Sequence, residues 1–230
     1  METSALLELA QLVINGDLDQ VTRRLRSLPA LATMALPISK KQGQKADTFF
    51  AEIRHYMYGG DTALHMAAAA FSRPMAELLV SRGADCRAKN RRGAEPLHYA
   101  SDGTDSDSNR PAEVIKYLVS VGADPNAVDK SGVAPLHRAV RKRSHTAVLA
   151  LLDAGANLRQ PNKSGSTPLH LAVQTTGASG SGSEDARQQQ EMIIKLLLER
   201  GAKLTDQDSN GKMVKQAATN AWIQTMLAEL

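Results

Sequence analysis

The 230-residue chain is 42% hydrophobic and 23% charged, with Lys+Arg 28 against Asp+Glu 24 and a net charge of +4. That composition supplies a substantial core and excludes a disordered chain, and the charge is too mild for a dedicated DNA binder. Phe, Tyr and Trp together make up 3% of the residues, which argues against a stacking platform for nucleic acid. The core must therefore come from Ala, Leu, Val, Ile and Met, which favours thin helical layers. A single cysteine, Cys86, excludes an internal disulfide framework and any multi-Cys metal site. No basic n-region opens the chain and no apolar run approaches the ~20 residues of a membrane span, so the cytosol is the expected compartment.

Taken from the N-terminus, residues 3–31 carry Leu6, Leu7, Leu9, Ala10 and Val13 at helical spacing. A turn follows at Asn15-Gly16-Asp17, then Val21, Leu25 and Leu28, which predicts two helices forming an N-terminal capping unit. Residues 32–60 are the least regular and include Pro37, Lys40, Lys41 and Gly43. Alternation around Phe49, Ala51, Ile53 and Tyr56 predicts an extended finger with strand character.

From residue 61 the chain repeats itself. Thr62-Ala63-Leu64-His65, Glu95-Pro96-Leu97-His98, Ala134-Pro135-Leu136-His137 and Thr167-Pro168-Leu169-His170 are one phrase, and its histidines are spaced by 33, 39 and 33 residues. Gly83-Ala84, Gly122-Ala123, Gly155-Ala156 and Gly201-Ala202 close each unit. Thr62 and Thr167 stand where an N-cap hydroxyl satisfies orphan N–H groups, and Pro96, Pro135 and Pro168 sit in the first helical turn. Ala67, Ala100, Ala139 and Ala172 are small enough to let paired helices approach. The closing glycines suit a left-handed helix C-cap, and Gly60, Gly93, Gly132, Gly165 and Gly211 mark the turn into the next unit.

The chain resembles the ankyrin repeat family, whose period is about 33 residues and whose first helix opens T-P-L-H. The resemblance implies one all-α domain over 1–230, a solenoid of about six helix–turn–helix units including atypical caps at both ends. The expected units are 61–92, 93–131 with an insertion at 102–109, 132–164, 165–210 with an insertion at 176–189, and a C-terminal cap at 211–230 ending in Trp222, Ile223, Met226 and Leu227. The insertions read as solvated loops by composition.

The chemistry-bearing residues are weighed against plain structural roles. His65, His98, His137 and His170 share one repeat position, so each is expected to bond locally to its own finger. His55 and His145 have no partner at ligand spacing and are expected at the surface. Asp105, Asp107 and Asn109 mimic the start of a calcium loop, but Arg110 and Lys116 occupy the positions that need Gly and Glu. The run Gly177–Ser183 lacks the Gly-Lys-Ser/Thr ending of a phosphate loop. Cys86 lies between arginines with no base or resolving thiol. No nucleophile, acid–base pair, metal set or cofactor motif emerges, so neither an enzyme nor a bound cofactor is expected.

What remains is surface. In ankyrin repeats the fingers and first helices recognise partners, which by repeat position implicates Tyr58, Arg91, Arg92, Tyr99, Lys130, Arg138, Arg141, Lys142 and Lys163. The basic run from Lys130 to Arg143 holds no acid, and Arg138, Arg141 and Lys142 share one helical face. The expectation is a protein-binding scaffold with an acidic partner. The alternative is nucleic-acid or phosphate-ligand binding through the same basic groove. Phe49, Phe50, Tyr56 and Tyr58 either seal the first finger or form an exposed hot spot.

Overall fold

The computed structural model describes residues 2–38, 48–103, 109–174 and 183–229. Its contacts divide into two compact units, the first made of Met1–Gly103 with Asn109–Asp124 and the second containing Pro125–Leu230.

In the first unit, α1 (Glu2–Asn15) and α2 (Leu18–Ser27) form the opening pair. Leu6, Leu9, Ala10, Val13, Val21 and Leu25 recur at three- and four-residue steps and are buried, whereas Leu28 caps α2 and is exposed. Asp17 caps α2 by accepting the Gln20 N–H at 2.9 Å. A short 3-10 turn at Pro29–Ala32 follows. The expected finger is a hairpin of β1 (Thr48–Phe50) and β2 (His55–Met57), paired Thr48 to Met57, Phe49 to Tyr56 and Phe50 to His55. Its strands are shorter than the alternation suggested: Ala51 and Ile53 lie in the turn, which Arg54 completes at a φ of 50°.

Two further pairs complete this unit, α3 (Ala63–Ala69) with α4 (Arg73–Ser81) and α5 (Pro96–Ala100) with α6 (Arg110–Ser120). The first helices stack α1 on α3 on α5, and the second helices stack α2 on α4 on α6. The second unit repeats the scheme with α7 (Pro135–Arg141) and α8 (His145–Asp153), α9 (Pro168–Ala172) and α10 (Glu184–Glu199), then α11 (Val214–Ala217) and α12 (Ala221–Ala228). Here α7 packs on α9, α9 on α11, and α8 on α10.

The repeated phrase explains the stacking. Leu64, Leu97, Leu136 and Leu169 are all buried, each contributing ~1.5–3 kcal/mol. Ala67, Ala100, Ala139 and Ala172 are buried beside them and keep first helices close. Helices of five to seven residues are far below the length that is stable alone, so burial between neighbours holds them.

Not all of the 176–189 insertion is loop. α10 opens at Glu184, with Ser183 Oγ accepting the Ala186 N–H at 3.2 Å, so the last part of the extra length is a longer second helix. Residues 176–182 of that insertion and 104–108 of the other, including the calcium-like Asp105 and Asp107, lie outside the described residues.

The repeated histidines bond further than expected. Nδ1 of His65, His98, His137 and His170 accepts the backbone N–H of Thr62, Glu95, Ala134 and Thr167, at 3.1, 3.1, 3.1 and 3.3 Å. Nε2 of His65 then faces the Ala94 carbonyl at 3.2 Å, that of His137 the Ser166 carbonyl at 3.2 Å, and that of His170 the Lys212 carbonyl at 3.2 Å. Each of these carbonyls belongs to the next finger. An Nδ1 that accepts leaves the proton on Nε2, where it is donated across the repeat boundary. The terminal repeat replaces this histidine by Gln216, whose Oε1 accepts the Met213 N–H at 2.8 Å and so keeps only the local half of the device.

Burial pushes the His65 and His137 imidazoles below their ordinary value of 6.5, although Asp61 opposes this at His65 and the Ser166 carbonyl at His137. The unfolded chain then takes up protons below pH 6.5 that the folded chain refuses, so their contribution is complete above that pH and declines as pH falls. Melting temperature should therefore drop between pH 7 and pH 5, and the drop should shrink in His137→Gln. Replacing His137 with Ala strands the Ala134 N–H and removes one of the two donors to the Ser166 carbonyl, and should cost ~1–3 kcal/mol in urea unfolding at pH 7.5. His137→Gln should lose less, since Gln216 shows that a glutamine holds the local bond.

Candidate binding surface

Four fingers are tight turns, each built on one Asx residue placed three positions before its glycine. Asn90 Oδ1 accepts the N–H of Arg92 and Ala94 at 2.9 and 3.0 Å. Asp129 Oδ1 takes those of Ser131 and Val133 at 2.8 and 3.0 Å. Asn162 Oδ1 takes those of Ser164 and Ser166 at 2.9 and 3.1 Å, and Asp208 Oδ1 those of Asn210 and Lys212 at 2.8 and 3.0 Å. A side chain that accepts two successive turn amides mimics a backbone turn and fixes it. Burial raises the Asp129 carboxyl, but the two amides and Arg138 outweigh it and hold the group below the usual carboxylate value; backbone amides do the same for Asp208.

Within the second unit the turns lie against each other. Lys163 N–H donates to the Ser131 carbonyl at 3.1 Å, and Ser209 N–H to the Ser164 carbonyl at 3.3 Å. Gly132 sits at that crossing with a φ of 72°, and a Cβ there would meet the Lys163 nitrogen at 2.8 Å. Only glycine satisfies both the turn and the approach.

On this frame the predicted partner-binding residues separate into three groups. In the second unit, Lys130 and Lys163 are exposed at the same position of consecutive fingers, and Arg141 is exposed at the end of α7. In the first unit, Arg91 and Arg92 are exposed at the following finger, with their guanidinium carbons 5.6 and 4.1 Å from the Tyr58 ring centroid. The remaining three are more enclosed.

Tyr99 is corrected outright. It is 2% exposed, and its hydroxyl donates to the Asp61 carboxylate at 2.7 Å while accepting from Asn90 Nδ2 at 2.9 Å. Asp61 is wholly buried and also accepts the Tyr58 N–H at 2.6 Å and Asn90 Nδ2 at 2.9 Å. Arg138 occupies the equivalent repeat position and behaves alike: its side chain is only 15% exposed and pairs with Asp129 at 3.1 Å. Tyr99 and Arg138 both brace the Asx residue of their own finger. The acid that answers Arg138 is thus Asp129, one residue before the basic run. Lys142 caps α7 and is half-buried, so Arg138, Arg141 and Lys142 do not form one exposed cluster. Neighbouring Arg143 has a φ of 57°, burial depresses its guanidinium, and its Nη2 is enclosed without a hydrogen-bond partner among the described residues.

The other candidates for chemistry are also occupied. Burial pushes the Cys86 thiol up, and its Sγ faces the Val121 carbonyl at 3.4 Å. His55 is not a solvated surface residue: it lies 3.9 Å from Asp102 and 4.7 Å, ring to ring, from Tyr99. His145 opens α8 half-buried, and burial lowers its imidazole. Among the described residues no three His, Cys, Asp or Glu side chains gather as a metal site, and no helix is long and apolar enough to cross a membrane.

The ankyrin repeat profile, described as Ankyrin repeats (3 copies), matches residues 42–129 and 104–208, well over half of the chain. The chain belongs to the ankyrin repeat family. Its repeats are all-α, and ankyrin repeats generally serve as protein–protein interaction modules rather than enzymes. None of the curated proteins matches the chain.

The finger Asx residues were missed in the sequence although their signal was present, since Asn90, Asp129, Asn162 and Asp208 each precede a finger glycine by three. Asn162→Ala should release the Ser164 and Ser166 amides. Hydrogen exchange at pH 7 should speed up at those two positions and at the Lys163 amide, while the buried amides of α7 keep wild-type protection.

Proposed function

We propose that this ankyrin repeat protein is a non-catalytic scaffold of the cytosol that receives an acidic partner protein on its fingers and first helices. The observation that carries the reading is the pair Lys130 and Lys163, exposed at one repeat position on turns tied backbone to backbone. Two cations held on a rigid frame recognise acids without first losing the conformational freedom of a loop. Arg141 adds a third exposed cation in the same unit.

The absence of a catalytic step is supported by how the reactive side chains are used. His65, His137 and His170 commit both ring nitrogens to backbone groups, which leaves no lone pair for proton transfer. The thiol of Cys86 is held protonated by burial.

Charge reversal tests the reading. Lys130→Glu/Arg141→Glu/Lys163→Glu should leave the melting temperature nearly unchanged, because exposed charges contribute little to stability. The same variant should lower partner capture from the source cell, read by quantitative mass spectrometry, by an order of magnitude. Reversing Lys195, which is paired with Glu191 at 2.6 Å on α10, should not. Association with the captured partner should slow as salt screens charges beyond ~8–10 Å. Equal capture by the triple variant at low salt would remove the basic fingers from the account.

A further inference from the structure

Phe49, Phe50, Tyr56 and Tyr58 are half of the aromatic residues in the chain, gathered in one hairpin. The register of that hairpin divides them. Phe50 and Met57 point to one face and are buried, at 5% and 0% exposure. Phe49 and Tyr56 are cross-strand partners on the other face and stay 50% and 46% exposed, with ring centroids 4.8 Å apart. Tyr58, two residues on from Tyr56, continues that face at 6.0 Å with 30° between the ring planes. Arg92 then lies over the Tyr58 ring at 4.1 Å and Arg91 at 5.6 Å. The result is a ladder of three rings, apolar at the Phe49 end and cationic at the Arg92 end.

Among the described residues, the charged side chains that lie over the Tyr58 end of this ladder are Arg91 and Arg92. Arg92 is exposed and forms no ion pair with a described residue, and its backbone N–H is held by Asn90. The carboxylates of the same fingers are turned elsewhere. Asp61 lies wholly buried beneath the ladder and takes its bonds from Tyr58, Asn90 and Tyr99. Glu95 is buried with Lys89 at 3.6 Å, and Glu52 on the hairpin turn is held by Gln11 at 3.0 Å.

We propose that the ladder is a docking strip for an acidic peptide segment of a partner protein. An aromatic or branched apolar side chain of the segment packs on Phe49 and Tyr56, and a carboxylate near it meets the Arg92 guanidinium stacked on Tyr58. A peptide rising ~3.3 Å per residue covers the ladder in about four to five residues, which sets the spacing of anchor and acid. Arginine stacked on an aromatic ring keeps its N–H fork for a bidentate carboxylate, and aromatic anchors with arginine are what hot spots are made of. Nucleic acid fits less well. Phe49 and Tyr56 touch each other at a tilt of 52°, which leaves no slot for a base between them. The proposal rests on the protein-binding reading and adds a second surface, in the first unit, with its own peptide chemistry.

The test is selection of random dodecapeptides displayed on phage against the full chain, followed by fluorescence anisotropy of the enriched peptides. Wild type, Phe49→Ser/Tyr56→Ser and Arg92→Glu are compared, with folding checked by circular dichroism. The enriched sequences should carry Asp or Glu within four or five residues of Phe, Trp or Leu. Affinity should fall about tenfold or more in each variant. For peptides whose acids are changed to amides, wild type and Arg92→Glu should bind alike, which separates the carboxylate contact from a general disturbance. Absence of enrichment, peptides without that signature, or affinities indifferent to both variants would overturn the proposal. So would labelled oligouridylate binding the ladder more tightly than any selected peptide. Peptides that depend on Lys130, Arg141 and Lys163 but not on the ladder would overturn it while leaving the protein-binding reading intact.

Discussion

The structure depends on a repeated imidazole, at His65, His137 and His170, that is protonated on Nε2. Its Nδ1 accepts an N–H at the start of a first helix, and its Nε2 reaches a carbonyl of the following finger, as at His65 with Ala94 and His137 with Ser166. A five- to seven-residue helix has too few internal bonds to define its own start or its distance to a neighbour. The histidine supplies both. The carbonyl it reaches also accepts within its own turn, from Asn90 at Ala94 and from Asn162 at Ser166, so helix, turn and next repeat are fixed together.

The exposed surface inherits its order from this linkage. Because Asn162 and Asp129 pin consecutive turns and Lys163 bonds across to Ser131, Lys130 and Lys163 are presented on a fixed frame. In the first unit the same position carries Tyr58 and Arg91, and there the device is reinforced by a buried acid, Asp61, that joins Tyr58, Asn90 and Tyr99. A carboxylate enclosed so completely is tolerable because neutral donors surround it on several sides. One repeat position thus yields cations in one unit and a ring beneath arginines in the other, with the same backbone under both.

Much of this was legible in the sequence, for a physical reason. Repetition converts a weak local signal into a register, which puts Leu64, Leu97, Leu136 and Leu169 in the core and the glycines at turns. What the register hides is the partner of a side chain that crosses repeats. The His65 to Ala94 bond spans 29 residues, and nothing in the local phrase distinguishes it from a bond within the finger. Charge patterns mislead in a related way. Arg138 and Arg141 look alike in sequence, yet Arg138 turns to Asp129 because its position points at its own finger, as Tyr99 does. Helical spacing identifies a shared side of a helix, and it does not say whether that side meets water or the next turn. The hairpin was half legible: alternation marked the strands, but which aromatic ring is buried follows from the pairing of Phe50 with His55, which only the fold sets.

Nitrogen-15 NMR of the histidine side chains tests the central claim most directly, because the two neutral tautomers give distinct long-range nitrogen–carbon-bound-proton correlations. At pH 7.5, His65, His137 and His170 should each show the Nε2–H tautomer, and on acidification the first two should take up their protons below the ordinary 6.5. Nδ1–H tautomers, or His65 and His137 titrating at or above the ordinary 6.5, would mean that the imidazoles do not bridge helix start and neighbouring finger.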